Sequence, residues 1–77
     1  MQSNVLKFKI MKTIIKGLEK QLEKLEELIQ KREDKVDTMS AKWQESEKCE
    51  EWEDKTMEIE EQKDELSNII DELKELL

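Results

Sequence analysis

Twenty-one carboxylates and one thiol, that of Cys49, are the side chains of this chain that could do chemistry. The chain has no histidine, so Cys49 and the serines lack the imidazole that activates a thiol or hydroxyl nucleophile. No EF-hand loop, phosphate-binding loop or dinucleotide fingerprint occurs in the sequence. The carboxylates fall on the outer faces of the predicted helices, where glutamates are usually solvated. We therefore predict a protein that is not an enzyme and has no catalytic, cofactor-binding or metal-binding residues.

The helices that carry these groups are indicated by two apolar stripes with the seven-residue period of a coiled coil. With heptad positions labelled a to g, the first stripe has a at Phe8, Ile15, Leu22, Ile29, Val36 and Trp43, and d at Asn4, Met11, Leu18, Leu25, Arg32 and Met39. The second has a at Cys49, Thr56, Lys63, Ile70 and Leu77, and d at Trp52, Ile59, Leu66 and Leu73. Six residues instead of seven separate the two sets of a positions, so the second stripe does not continue the first.

This break in phase predicts that the chain turns back on itself. We predict an all-α fold, an antiparallel helical hairpin with a helix at 12–44, a turn at 44–48 and a helix at 49–77. Ser46 is the predicted N-cap of the second helix. Residues 1–11 alternate apolar side chains with lysines and are predicted to form a weakly ordered basic extension. The alternative fold is one long coiled-coil helix, because a coiled coil can also absorb a phase shift.

A hairpin also predicts which side chains face each other, because a positions of one helix lie opposite d positions of the other. Pairing residues whose numbers sum to 95 places Arg32 opposite Lys63, and these like charges must lie outwards with their methylenes along the seam. The other layers are wholly or partly apolar. They are Trp43 with Trp52, Met39 with Thr56, Val36 with Ile59, Ile29 with Leu66, Leu25 with Ile70, Leu22 with Leu73 and Leu18 with Leu77.

Two helices of this length bury too little apolar surface to be stable alone, which predicts self-association. Further apolar residues at g positions widen the stripe, as is typical of a four-helix bundle. We therefore predict a homodimer of two hairpins with two-fold symmetry. The residues predicted to form its interface are Ile14, Leu28, Ile69 and Leu76.

The predicted turn end carries a second candidate site, formed by Trp43, Cys49 and Trp52. The tryptophans are expected to close the end of the seam, and the alternative is an exposed aromatic hot spot for a partner. Cys49 is expected to finish the seam as a small apolar side chain, and the alternative is an exposed thiol that forms an intermolecular disulfide. A single cysteine is typical of a reducing compartment, so the predicted location is the cytoplasm.

Charge limits the classes of partner. The net charge is −7, although residues 1–18 hold four lysines and no acid. An acidic body repels nucleic acid phosphates and attracts basic proteins, so we expect no direct binding to nucleic acid. No apolar run is long enough for a membrane span.

The stretch from Arg32-Glu33-Asp34-Lys35 to Trp43-Gln44-Glu45-Ser46-Glu47-Lys48, followed by an acid-rich helix, resembles small acidic helical proteins of unknown function encoded in bacterial phages and prophages. The resemblance covers residues 11–77. Members of that group carry glycine where this chain has Cys49, and a glycine there suits a helix end or turn.

The predicted function is that of a structural or protein-interaction module that self-associates. The alternative is an acidic phage-type inhibitor that mimics nucleic acid and blocks a basic host protein. Residues 47–65 motivate this alternative, because they contain ten acids and three lysines.

Overall fold

A computed structural model describes residues 2–77, with side chains from Val5 onwards. The chain forms helix α1 (Gln2–Thr38), the short helix α2 (Ala41–Gln44) and helix α3 (Glu47–Glu75). Within residues 2–77 no strand is present, which confirms the predicted all-α class. Asn4, the first d position of the sequence pattern, lies outside the residues whose side chains are described.

The two apolar stripes are the buried faces of the long helices. Every buried residue in the described part of the chain is an a position of one of the two predicted heptad patterns. These residues are Ile15, Ile29, Cys49, Thr56 and Ile70. All d positions whose side chains are described are half-buried.

Helix α1 begins at Gln2 and not at the predicted residue 12. The alternation of apolar residues with lysines does not stop a helix, because this segment contains neither proline nor an early glycine. Local contacts of helical spacing are present, since the Lys12 Nζ lies 4.8 Å from the centre of the Phe8 ring. The Thr13 hydroxyl donates to the Lys9 carbonyl at 3.0 Å. The side chains from Val5 to Ile10 are exposed.

The end of α1 also differs from the prediction, because the helix stops at Thr38 and not at residue 44. Side chains satisfy the backbone groups that this break leaves free. The Gln44 amide donates to the carbonyls of Val36 at 2.8 Å and of Met39 at 3.0 Å. The Ser40 hydroxyl accepts from the backbone N–H of Trp43 at 3.2 Å and so caps α2. The interruption therefore begins at residue 39, before the turn predicted at 44–48.

Ser46 occupies the N-cap of α3, as predicted, but its side chain does not cap that helix. Its hydroxyl instead donates to the Trp43 carbonyl of α2. The first turn of α3 contains Glu47 and Glu50, which the positive end of the helix dipole favours. Serine and glutamine side chains thus bond to the backbone where the chain changes direction, a position that glycine or proline occupies in many turns.

Helix α3 lies against α1. Lys74 near the end of α3 is 3.6 Å from the Glu19 carboxylate in the first half of α1. Further along, Arg32 of α1 contacts Trp52 and Thr56 of α3. The described chain extends 64 × 16 × 12 Å.

The pairing between these helices differs from the predicted one by one heptad. Arg32 donates to Thr56, and their numbers sum to 88 instead of 95. The predicted layer of Arg32 with Lys63 is therefore wrong, and Lys63 contacts Asp64 in its own helix at 3.7 Å. The observed pairing gives the Arg32 guanidinium hydrogen-bond acceptors, whereas the predicted one would have faced it with another cation. Trp43 and Trp52 are nevertheless in contact, because α2 carries Trp43 back over the start of α3.

Candidate interaction surfaces

Between α1 and α3, close to the end where α1 stops and α3 begins, is a polar cluster formed by Arg32, Trp52 and Thr56, which we call the Arg32 cluster. The Arg32 Nε donates to the Thr56 hydroxyl at 2.9 Å, and its Nη2 donates to the Trp52 carbonyl at 3.1 Å. In return the Trp52 indole N–H donates to the Arg32 carbonyl at 3.1 Å. The Thr56 hydroxyl donates in turn to the Trp52 carbonyl at 3.0 Å. These bonds satisfy the polar groups of a cation placed in an apolar seam.

The Trp52 ring is also held through its faces and edges. The Arg32 Cζ lies 3.9 Å from the ring centre, and the Lys35 Nζ lies 5.0 Å from it. The Trp43 ring meets it edge to face, with centroids 6.5 Å apart and an angle of 72° between the planes. The cations and the edge-to-face ring contact both stabilise Trp52, because the face of an aromatic ring is electronegative and its edge is electropositive. Trp43 and Trp52 are both half-buried, so they close the seam and still expose part of their surface.

Cys49 is buried at the start of α3. Its Sγ is 3.6 Å from a carboxylate oxygen of Glu53, one helical turn away. Burial raises the pKa of the Cys49 thiol, and the negative charges of Glu53 and Glu50 raise it further. A buried thiol that is held protonated is a poor nucleophile and a poor partner for an intermolecular disulfide. This environment fits the interpretation of Cys49 as a small apolar residue of the seam.

The four residues predicted to form a dimer interface are all exposed in the single chain. The exposed fractions are 51% for Ile14, 42% for Leu28, 49% for Ile69 and 72% for Leu76. Their apolar surface is therefore left uncovered by the packing of α3 on α1. All four lie at g positions of the two predicted heptad patterns.

Two open grooves run between α1 and α3, one on either side of Arg32. The first, which we call the acidic groove, combines carboxylates with Arg32, Val36, Thr56 and Met57. Its carboxylates are those of Glu33, Asp37, Glu53 and Glu60. The second, which we call the mixed groove, is lined by Leu25, Leu28, Arg32, Lys55, Glu58, Ile59, Glu61 and Gln62. The two sides of the helix pair therefore differ in chemistry, and only the mixed groove contains a residue of the predicted interface.

Within the part of the chain that the structure describes, no group of three or more histidine, cysteine, aspartate or glutamate side chains is placed to hold a metal ion. None of the described helices combines the length and the apolar character that crossing a membrane requires.

The chain matches no protein family, no curated protein and no solved structure in the comparisons with known proteins. The resemblance to acidic phage proteins therefore stays a prediction.

The Arg32 cluster was not predicted as a functional or structural site. The sequence contains a usable signal for it, because Arg32 is the only charged d position of the first stripe. A cation in such a position needs acceptors across the seam. The second stripe offers a hydroxyl only at Thr56. The need of Arg32 for an acceptor therefore favours the observed pairing with Thr56.

Proposed function

We propose that this protein is a non-enzymatic interaction module, an antiparallel helical hairpin that associates with a second copy of itself into a four-helix bundle. The hairpin is supported by the contacts of Lys74 with Glu19 and of Thr56 with Arg32, which join residues far apart in the chain. Its length also supports it, because 77 residues in one helix would extend roughly 115 Å at 1.5 Å per residue. The described chain extends 64 Å.

The observation that carries the proposal is the exposed apolar surface at Ile14, Leu28, Ile69 and Leu76. In a single hairpin this surface faces water, although each fully covered side chain of this size stabilises by about 1.5–3 kcal/mol. Only five side chains in the described part are buried, which is a small core for a chain of this length. Association through the exposed residues supplies the missing burial without disturbing the seam.

The proposal is tested by measuring molar mass with light scattering at several protein concentrations. A dimer has about twice the chain mass of 9.3 kDa. The double variant Leu28→Lys and Ile69→Lys is expected to weaken association strongly, because it places lysines where apolar contact is required. A matched control changes Met57, which is exposed but is not a g position, to lysine. A folded monomer in the unmodified protein, or association that is unaffected by the double variant, would contradict the proposal.

A second candidate function is favoured by the acidic groove. Glu33, Asp37, Glu53 and Glu60 line one side of the helix pair and come from both long helices. Together with the net charge of −7, this surface is suited to a basic protein. In this alternative the acidic module competes with nucleic acid for that protein.

The alternative is tested by capturing host proteins on the immobilised chain and eluting them with DNA. Elution of nucleic-acid-binding proteins by DNA would support it, provided that the variant Glu33→Gln, Glu53→Gln and Glu60→Gln captures less of them. A control with Glu65→Gln, Glu72→Gln and Glu75→Gln has the same net charge but leaves the groove intact. Equal loss of binding in both variants would mean that overall charge, and not the groove, attracts the partner.

A further inference from the structure

The mixed groove lies on one side of the helix pair. On this side, lysines border the face along α1 and glutamates border it along α3. On α1 the exposed g and c positions contain no carboxylate. They are Lys7, Ile10, Ile14, Gly17, Gln21, Lys24, Leu28, Lys31, Lys35 and Thr38. On α3 the g positions Lys48, Lys55, Gln62 and Ile69, with Leu76 directly after the helix, are bordered by glutamates. This exposed row of glutamates at c is Glu51, Glu58, Glu65 and Glu72. Leu28, Lys55, Glu58 and Gln62 line the same groove, so these rows belong to one face.

These borders lie at matching heights along the hairpin. The pairing of Arg32 with Thr56 places residues whose numbers sum to 88 at the same height. Lys24 is therefore within one residue of the height of Glu65, and Lys31 within one residue of that of Glu58. One residue of helix corresponds to about 1.5 Å, less than the reach of either side chain. The two charged rows nevertheless lie on opposite edges of the face, one on each helix.

We propose that two copies of the chain associate through this face with both turn ends at the same end of the dimer. This inference rests on the proposed self-association and specifies its geometry. A two-fold axis parallel to the helices places α1 of each copy over α3 of the other. Lys24 and Lys31 then face Glu65 and Glu58 of the second copy, which gives four ion pairs by symmetry. Inside these borders the apolar g positions of α1 near the open end face those of α3 in the second copy.

The other two-fold arrangement reverses one hairpin, so that the turn ends lie at opposite ends. It places α1 over α1 and α3 over α3. The lysine row then faces a lysine row, and the glutamate row faces a glutamate row. Like charges in contact oppose association, so the charge pattern selects the arrangement with the turn ends together. Lys35 and Lys55 lie at g near the turn in both chains, so the closest contact is expected at the open end, around Ile14 and Leu76.

Charge reversal tests the pairing. The variant Lys24→Glu and Lys31→Glu changes the net charge from −7 to −11, and the variant Glu58→Lys and Glu65→Lys changes it from −7 to −3. In the proposed dimer each variant replaces four attractive pairs by repulsive ones. Each is expected to raise the dimer dissociation constant about tenfold or more, a factor of ten being about 1.4 kcal/mol. The combined variant has the original net charge and the reversed pairs, and it is expected to dimerise as the unmodified chain does.

The variant with the smaller net charge is the decisive one. Lower overall repulsion would strengthen any dimer that lacks these pairs, whereas the proposed dimer is weakened. Sedimentation equilibrium measures the dissociation constants. Stronger association of Glu58→Lys and Glu65→Lys, with no rescue in the combined variant, would overturn the proposal.

Distances between the copies give an independent test. A spin label at Lys42→Cys in α2, with Cys49→Ser to remove the native thiol, places one label at the turn end of each chain. The proposed dimer is expected to give a distance of about 20–30 Å, from an interaxial spacing of about 8–10 Å plus the reach of two labels. Opposed turn ends would give about 40 Å or more, the length of the paired part of α1. A dimer with the long distance refutes the geometry alone, whereas a monomer by sedimentation refutes the proposed function and the geometry with it.

Discussion

Arg32 and Trp52 each donate a hydrogen bond to the main-chain carbonyl of the other, across the seam between α1 and α3. The two donor–acceptor distances are both 3.1 Å, and the guanidinium carbon lies 3.9 Å from the ring centre. The two residues are thus joined by directional bonds as well as by stacking. Apolar layers in a regular heptad repeat tolerate a shift by seven residues, but these bonds do not. The Arg32 cluster therefore selects one alignment of the helices.

Thr56→Val is expected to lower the free energy of unfolding by about 1–2 kcal/mol, because the Arg32 Nε loses its acceptor in a half-buried site. The change keeps the shape and the branched Cβ of the side chain. Urea denaturation at fixed protein concentration measures it. Thr13→Val is the matched control, since the Thr13 hydroxyl is exposed and bonds only within its own helix. In the background Arg32→Met the Thr56→Val change should cost clearly less. Equal losses in both backgrounds would show that the two residues are not coupled.

The alignment itself can be measured by cross-linking. In a Cys49→Ser background, the pair Ile29→Cys and Ile59→Cys is expected to form an intramolecular disulfide readily, because these positions continue the alignment of Arg32 with Thr56. The pair Ile29→Cys and Leu66→Cys represents the alignment one heptad away. Oxidation at low protein concentration, followed by mass spectrometry, compares the two. Preferential oxidation of the second pair would restore the alignment that apolar matching alone predicts.

The sequence predicts the buried faces well and the alignment poorly, for a physical reason. Ile15, Ile29 and Ile70 are buried where the heptad period places them, because that period reports which side of a helix avoids water. Two alignments that differ by seven residues bury similar apolar side chains. The difference between them depends on the hydrogen bonds of Arg32, which a count of apolar layers does not include.

The breaks between helices were predictable only in part. The phase change predicts an interruption, and the preference of serine for N-caps predicts the position of Ser46, but neither predicts that α1 stops at Thr38. That end depends on the Gln44 side chain, which reaches back eight residues to the Val36 carbonyl. Such a bond requires the chain to be folded already. The charge patterns of the two outer faces are in the sequence, but which charges of α1 and α3 lie at the same height depends on the alignment.

Cys49 is expected to react slowly with iodoacetamide at pH 8. Burial and the neighbouring Glu53 raise the pKa of its thiol, so less thiolate is present than in a free cysteine, and the protein also blocks access. Glu53→Gln removes a negative charge and should increase the rate, whereas Glu47→Gln, which does not contact the thiol, should not. The pKa of the Cys49 thiol is higher in the folded protein than in the unfolded chain. The stabilisation that follows from this difference is fully present below the unfolded pKa of about 8.5. It is lost as the pH rises through the folded value. Mass spectrometry of quenched samples gives the rates, and a rate equal to that in urea would contradict the buried site.

Residues 1–10 are expected to contribute little to the stability of the helix pair, although α1 extends through residues 2–10. The alignment of Arg32 with Thr56 places the last residue, Leu77, at the height of Met11, so α3 has nothing opposite the earlier residues. Met11 is half-buried and residues 5–10 are exposed, in agreement with this limit. Deleting residues 1–10 should therefore change the free energy of unfolding by less than about 1 kcal/mol, the usual range for exposed positions.

Ile70→Ala is the comparison, because this residue is 3% exposed and its truncation should cost about 2–5 kcal/mol. Denaturation is followed at two protein concentrations, since a dimer is stabilised by mass action. A loss from the deletion that approaches that of Ile70→Ala, and that grows at the higher concentration, would mean that Val5, Leu6 and Phe8 pack on the second copy.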